Sequence, residues 1–125
     1  MAAPEGGYLA LAVPASVTPP PVVVIGLPGE IDLTNAGEVL ALITAAFSPG
    51  VAVVIADLTT TRFCDSAGLR QLLQARQHAT AAGVQLRLVI PPRGPVGRLV
   101  ELTGINRYVP VYPTLQLATD DSLRP

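Results

Sequence analysis

Residues 51–69 read VAVVIADLTTTRFCDSAGL, and this stretch decides the fold. The first six residues, 51–56, are apolar and rich in β-branched side chains, as is typical of a central strand that is covered on both faces. Asp57 is expected to end the strand. From Ser66 to about Ala82 apolar side chains recur at three- and four-residue spacing, which predicts an amphipathic helix that ends at Gly83. A buried strand followed by such a helix indicates a βα unit of an α/β domain.

Upstream of this stretch, two further segments have strand character. Residues 22–25 form a short apolar run, which predicts a buried strand, and residues 8–13 predict an additional N-terminal strand. Residues 36–47 carry apolar side chains at helical spacing, and Pro49-Gly50 is expected to stop that helix. The upstream half therefore supplies further strands and a helix to the same sheet.

Downstream, residues 84–90 alternate between apolar and polar side chains, with Gln85 and Arg87 at polar positions. This period of two predicts a strand. The remaining predicted elements are a short helix over 96–102, a strand near 108–111, a short final helix from Thr114 and a frayed tail over 120–125.

The composition is that of one small domain. The chain has 125 residues, of which 50% are hydrophobic, so it can bury one continuous core. Its longest apolar run without Pro or Gly is far shorter than the roughly 20 residues that a membrane span needs. Residues 1–7 have no basic cluster and do not read as a secretory signal. We therefore expect a single domain over 1–125, with its core at about 20–118, in the cytoplasm and without a membrane partner.

Charge and cysteine content exclude further classes. The formal net charge is -1, and all eight basic residues are arginines scattered along the chain, so nucleic acid is not expected as a partner. Cys64 is the one cysteine and has no disulfide partner in the chain, which agrees with a reducing compartment. With one cysteine and one histidine, the sequence predicts neither a metal site nor a cofactor.

Asp65 and Ser66 stand where the central strand leads into the amphipathic helix. Asp65 is placed to cap the helix N-terminus with its carboxylate, and Ser66 would then be the first helical residue with an exposed hydroxyl. A phosphate on Ser66 would add about -1.5 to -2 charges. An Asp-Ser pair is also a common helix start with no further function, so these residues alone leave both interpretations open.

A hydrolytic site is the competing chemical interpretation, because residues 64–68 resemble a nucleophile elbow. That motif requires Gly where this chain has Cys64. The one histidine, His78, is twelve residues from Ser66 on the same predicted helix, roughly 18 Å away. We therefore predict no catalytic residue, and we expect Cys64 to be a small buried apolar side chain.

Three motifs together resemble the STAS domain of bacterial anti-sigma factor antagonists. They are GEID at 29–32, the strand 51–57 followed by FCDSAGL at 63–69, and the segment from Arg98-Leu99 to Thr103-Gly104-Ile105. The resemblance covers about positions 20–118. It implies a single α/β STAS domain with a central mixed β-sheet of about four to five strands, flanked by about four helices.

The resemblance also implies a function. In this family the unphosphorylated protein binds an anti-sigma factor and frees its sigma factor. The anti-sigma factor is typically a serine kinase that phosphorylates the antagonist, and a PP2C-type phosphatase resets the cycle. Carried over to this sequence, Ser66 is the phosphoacceptor, and Ala67 stands where many members have a second hydroxyl. The residues expected to bind the partner are Glu30, Asp32, Asp65, Ser66, Ala67, Gly68, Arg70 and Gln71.

Two other roles remain open for such a domain. STAS domains also serve as scaffolds or accessory subunits of lipid-transport ATPases and of stress-sensing assemblies, where a partner would bind whatever the state of Ser66. A nucleotide-sensing module is the third interpretation. The sequence does not predict an oligomeric state.

Overall fold

The computed structural model describes residues 21–121. The elements, in chain order, are β1 Val22–Gly26, β2 Glu30–Ile31, α1 Ala36–Thr44, β3 Val53–Asp57, β4 Phe63–Cys64, α2 Ser66–Ala82, β5 Gln85–Val89, α3 Pro95–Thr103, a 3-10 turn Ile105–Arg107, β6 Val111–Tyr112 and α4 Leu115–Asp120.

Within residues 21–121 the main sheet has four strands in the order β1-β3-β5-β6, and β2 pairs with β4 in a separate two-stranded ladder. Every pairing within residues 21–121 is parallel. The α/β architecture, the four helices and the four-stranded sheet agree with the expectation from sequence. We expected a mixed sheet; the predicted strand at 8–13 lies outside the described residues.

The central position of β3 explains its uninterrupted apolar sequence. Val54 and Ala56 belong to the larger core, which α1 and α2 cover, whereas Val53 and Ile55 face the other side, where Ala118 of α4 packs. All four are at most 1% exposed. The prediction of a strand buried on both faces is therefore confirmed.

Residues 22–25 form the predicted strand, but the prediction that this strand is buried is wrong. The segment is a strand, but it lies at the edge of the described sheet, and Val22 and Val24 are 37% and 44% exposed. These two valines are in register with Val53 and Ile55, so they lie on the face that α4 covers. Helix α4 has six residues and packs on β3, β5 and β6, which leaves this part of β1 uncovered.

Arg87 is the second departure from the sequence pattern. Its place among the polar positions of 84–90 suggests an exposed side chain, yet it is 1% exposed. The alternation of faces is correct, but α4 covers the face on which Arg87 lies. A strand pattern by itself does not show that a later helix buries its polar face.

Element boundaries shift where tight turns intervene. Helix α1 ends at Thr44 instead of 47, because the amides of Ala46 and Phe47 bond three residues back and tighten the chain. The last strand begins at Val111, later than predicted, because the 3-10 turn precedes it. Helix α2 has the predicted bounds, and Gly83 ends it in the left-handed conformation with φ 73°.

Candidate functional site

The short β2–β4 ladder determines where the candidate site lies. Glu30 pairs with Phe63 and Ile31 with Cys64. One residue further on, the Asp65 amide donates to the carbonyl oxygen of Ile31 at 3.1 Å. The loop that follows β2 is thereby held beside the first turn of α2.

Asp65 caps helix α2 as the sequence predicts. Its backbone is extended, and its carboxylate accepts the amide hydrogen of Gly68 at 3.0 Å. Ser66 is the first helical residue, and its side chain is exposed. The hydroxyl is therefore accessible at the positive end of the helix macrodipole.

Gly68 allows α2 to approach the β2–β4 ladder closely. It is buried, and a Cβ at this position would lie 2.7 Å from the Sγ atom of Cys64 and 2.7 Å from the Cγ2 atom of Ile31. Both separations are shorter than van der Waals contact. The glycine of the Ser-Ala-Gly-Leu motif is thus needed for packing on the inner side of the helix, while Ser66 faces outward.

Cys64 is a buried apolar residue, as expected, with an exposed fraction of 7%. Burial, together with the negative charge of Asp65, raises the pKa of the thiol to about 11. Because the thiolate is the reactive form of cysteine, this side chain is inert at neutral pH.

The loop after β2 is ordered by its own side chains. The hydroxyl and the amide hydrogen of Thr34 both donate to the Asp32 carboxylate, and these bonds lower the pKa of that carboxyl group. The Asn35 side chain accepts from the Asp32 amide at 2.9 Å and donates to the Glu30 carbonyl oxygen at 2.8 Å. Asp32 therefore remains charged in a fixed loop beside the start of α2.

Two exposed apolar side chains flank this region, and sequence reasoning missed both. Leu33 is 81% exposed in the loop after β2, and Phe63 is 49% exposed in β4. Glu30, the register partner of Phe63, is exposed too. The signal in the sequence was the apolar residue that follows GEID, Leu33, and the one that precedes Cys64-Asp65-Ser66, Phe63. We define the Ser66 surface as Glu30, Asp32, Leu33, Phe63, Asp65 and Ser66.

The other predicted partner-binding residues lie on the first turns of α2. Arg70 is exposed, whereas Ala67 and Gln71 are half-buried and Gly68 is buried. The Oε1 atom of Gln71 is buried and accepts no hydrogen bond from the described residues. Of the eight predicted positions, Gly68 therefore acts through packing and cannot contact a partner with a side chain.

Within the described part of the chain, no histidine lies near Ser66 to act as a base. His78 is exposed on the same helix, and twelve helical residues correspond to about 18 Å. Within residues 21–121 no three side chains of His, Cys, Asp or Glu cluster as metal ligands would. No helix in this part of the chain is both long enough and apolar enough to cross a membrane.

Solved structures with the same fold include regulators and a transport protein. An anti-sigma factor antagonist from Mycobacterium paratuberculosis has a TM-score of 0.68 and 28% identity, over 80% of this chain and 86% of that one. The Bacillus cell fate determinant SpoIIAA in its phosphorylated form has a TM-score of 0.57 and 26% identity, over 83% and 92%. A sulfate transporter family protein from Wolinella succinogenes has a TM-score of 0.65 and 16% identity, over 90% and 89%, and shows the fold alone.

Comparison of sequences with family models gives one assignment. The STAS domain model matches residues 13–118. No curated protein sequence matches the chain. Because the matched range covers most of the chain, the protein belongs to the STAS domain family.

Proposed function

We propose that this STAS domain is an anti-sigma factor antagonist, a binding module without catalytic activity. In the proposed cycle its unphosphorylated form binds an anti-sigma factor through the Ser66 surface and so frees a sigma factor. Phosphorylation of Ser66 ends the binding. The observation that carries the proposal is the exposed Ser66 hydroxyl at the capped N-terminus of α2, beside two exposed apolar side chains.

The solved relatives support the general role. The mycobacterial protein is described as an anti-sigma factor antagonist, and so is SpoIIAA, which has been solved in unphosphorylated and phosphorylated forms. Both are more than 25% identical to this chain over most of its length. We extend their role to this chain because its Ser66 side chain is exposed at the capped start of α2.

The geometry around Ser66 suits a serine kinase as the partner. An exposed hydroxyl at the first helical position can enter an active site without unfolding the helix. In the transfer the hydroxyl oxygen of Ser66 attacks the γ-phosphorus of ATP, its proton passes to a base of the kinase, and ADP leaves. A PP2C-type phosphatase would then hydrolyse the phosphoserine and restore the hydroxyl.

The Ser66 surface combines the two properties of a docking site that a phosphate can switch. Leu33 and Phe63 offer apolar area that a partner can bury. A phosphate at Ser66 would place about -1.5 to -2 charges beside the carboxylate of Asp65. Desolvating that charge in a closed interface costs several kcal/mol, and each 1.4 kcal/mol weakens binding about tenfold.

The experiment uses the full chain as tagged bait in lysate of its native host. Ser66→Ala keeps the surface neutral, Ser66→Glu adds a negative charge, and Ser48→Glu is the control, because Ser48 is exposed on the loop after α1. We expect an anti-sigma factor with a kinase fold to be retained by Ser66→Ala and Ser48→Glu and to be lost with Ser66→Glu. Incubating the recovered kinase and ATP with the wild-type chain should add one phosphoryl group, and none to Ser66→Ala.

The alternative roles give different results. Recovery of one transporter or scaffold component by all three baits would contradict the phosphoswitch and support a constitutive accessory subunit. Phosphorylation of Ser66→Ala by the recovered kinase would place the modification at another residue.

A further inference from the structure

The amino ends of β5 and β6 border a cleft of about 520 Å³, at the opposite end of helix α2 from Ser66. Helix α2 extends from Ser66 to this cleft over 17 residues, or about 25 Å. The cleft lies between the last turns of α2 and the segment from Asn106 to Pro110. Its volume is within the 300–1,000 Å³ range typical of small-molecule sites.

The charged residues of this cleft all have the same sign. Arg76 and Arg107 line it, and none of its lining residues is acidic. Neither guanidinium forms an ion pair or a side-chain hydrogen bond with any residue in the part of the chain that the structure describes. In a chain with a net charge of -1, two arginines that have no ion-pair partner within residues 21–121 therefore line one concave surface.

Helix α2 ends at this cleft, and its macrodipole opposes anion binding there. The dipole corresponds to about -0.5 charge at the helix C-terminus, against +2 from the arginines. The carbonyl oxygens of Ala79 and Thr80 already accept hydrogen bonds from the Gly83 amide, and that of Ala79 also accepts from Val84 at 2.8 Å. The balance of charge in the cleft thus remains positive.

The floor and rim of the cleft differ in polarity. Ala79, Val84 and Val109 are buried and apolar and form the floor. On the rim, the Tyr108 ring is 56% exposed, and the carboxamide of Asn106 makes no hydrogen bond within residues 21–121. A second hollow of about 210 Å³ shares Arg76 and Tyr108 with the cleft.

We infer that this cleft is a binding site for a small organic anion with an apolar body. The anionic group would bind between Arg76 and Arg107, with the Asn106 carboxamide as a further donor. The apolar body would lie on the floor against the Tyr108 ring. A phosphate monoester and a carboxylate both satisfy this chemistry, since guanidinium binds either group in a bidentate manner. The inference does not depend on the role of Ser66.

An NMR titration of the ¹⁵N-labelled full chain tests the inference. The probes are phenyl phosphate, benzoate, inorganic phosphate and neutral benzyl alcohol. We expect saturable shifts of the amide signals of Gly83, Val84 and Tyr108 with phenyl phosphate or benzoate, and the stronger of the two identifies the anionic group. Inorganic phosphate and benzyl alcohol should each bind at least about tenfold more weakly, because the first has no apolar body and the second has no negative charge.

Substitutions distinguish specific binding in the cleft from non-specific electrostatic attraction to the protein. Arg76→Gln and Arg107→Gln should each weaken the stronger probe at least about tenfold, as loss of a charge-assisted bond requires. Arg98→Gln is the matched control, because Arg98 is exposed on α3 and does not line the cleft. Three outcomes would each overturn the inference: no saturation with either aromatic anion, equal binding of benzyl alcohol, or equal weakening by Arg98→Gln.

Discussion

The guanidinium group of Arg87 donates a hydrogen bond through Nη1 to the carbonyl oxygen of Ala118, at 2.7 Å. The same nitrogen donates to the Asp121 carbonyl oxygen at 3.2 Å, and the guanidinium carbon lies 5.8 Å from the centre of the Tyr112 ring. The Tyr112 hydroxyl in turn donates to the Asp121 carboxylate. A buried side chain of the central sheet therefore fixes the end of α4.

Replacing this arginine should destabilise the fold and release α4. In Arg87→Met the apolar stem is kept, but the buried carbonyl oxygen of Ala118 loses its donor. We expect the free energy of unfolding in urea to fall by about 2 to 4 kcal/mol. Amide hydrogen exchange over Leu115–Asp120 should become faster. Arg98→Met is the control for loss of a surface arginine, and equal effects of the two variants would contradict the assignment.

Gly68→Ala should destabilise the chain through overpacking. The added methyl group would lie 2.7 Å from atoms of Cys64 and Ile31, so α2 must shift away from the β2–β4 ladder. We expect a loss of about 1 to 3 kcal/mol in the free energy of unfolding. The matched change Gly37→Ala on α1 meets no atom within 4 Å and should be neutral or stabilising by up to about 1 kcal/mol. A Gly68→Ala chain as stable as Gly37→Ala would refute the packing role.

Asp65→Ala should cost about 1 kcal/mol of stability through loss of the helix cap. The amide hydrogen of Gly68, which the carboxylate now accepts, would lose its partner. Asp65→Asn is the control, since the carboxamide oxygen can accept the same bond without a charge. Urea unfolding of the two variants should therefore separate them, and similar losses in both would assign the effect to charge instead of capping.

Much of this site can be predicted from the sequence because its signals are local. The cap at Asp65, the start of α2 at Ser66 and its stop at Gly83 depend on residues within a few positions of one another. The burial of Cys64 follows from its place between a strand and an amphipathic helix. Residues that are close in sequence determine these features.

The parts that sequence reasoning missed depend on contacts between distant segments. Arg87 is buried by a helix that begins 28 positions later, and Val24 is exposed because that same helix is short. The packing reason for Gly68 requires Ile31, which only the β2–β4 register brings near. Local periodicity assigns the face of a residue but not what covers that face.

Leu33 should anchor the partner if the Ser66 surface is the docking site. Leu33→Ser removes an apolar side chain that is 81% exposed, so it should leave stability within about 0.5 kcal/mol. Binding to the anti-sigma factor should weaken about thirtyfold, as loss of a 2 kcal/mol anchor implies. Leu102→Ser on α3 is the control, because Leu102 is 73% exposed and is not one of the residues of the Ser66 surface. Calorimetry that gave both variants the wild-type affinity would exclude this surface.

Cys64 gives the chain a pH dependence at the alkaline end. Its folded pKa of about 11 exceeds the ordinary value of 9.0, so the folded state favours the protonated thiol. As the pH rises above 9.0, the unfolded chain loses this proton first, and the stability of the fold should decline until the pH passes about 11. At pH 8 alkylation by iodoacetamide should be about a hundredfold slower than for an unfolded thiol, because the thiolate fraction is lower by that factor.

Comparison with Cys64→Ala isolates this contribution from the titration of tyrosine. Urea unfolding of both chains between pH 8 and 11 should show that the difference in stability shrinks with rising pH, since the alanine variant has no thiol to ionise. A difference that stays constant over this range would show that the folded and unfolded thiols share one pKa. The structure argues against that result, because the Sγ atom is buried between the β2–β4 ladder and Gly68.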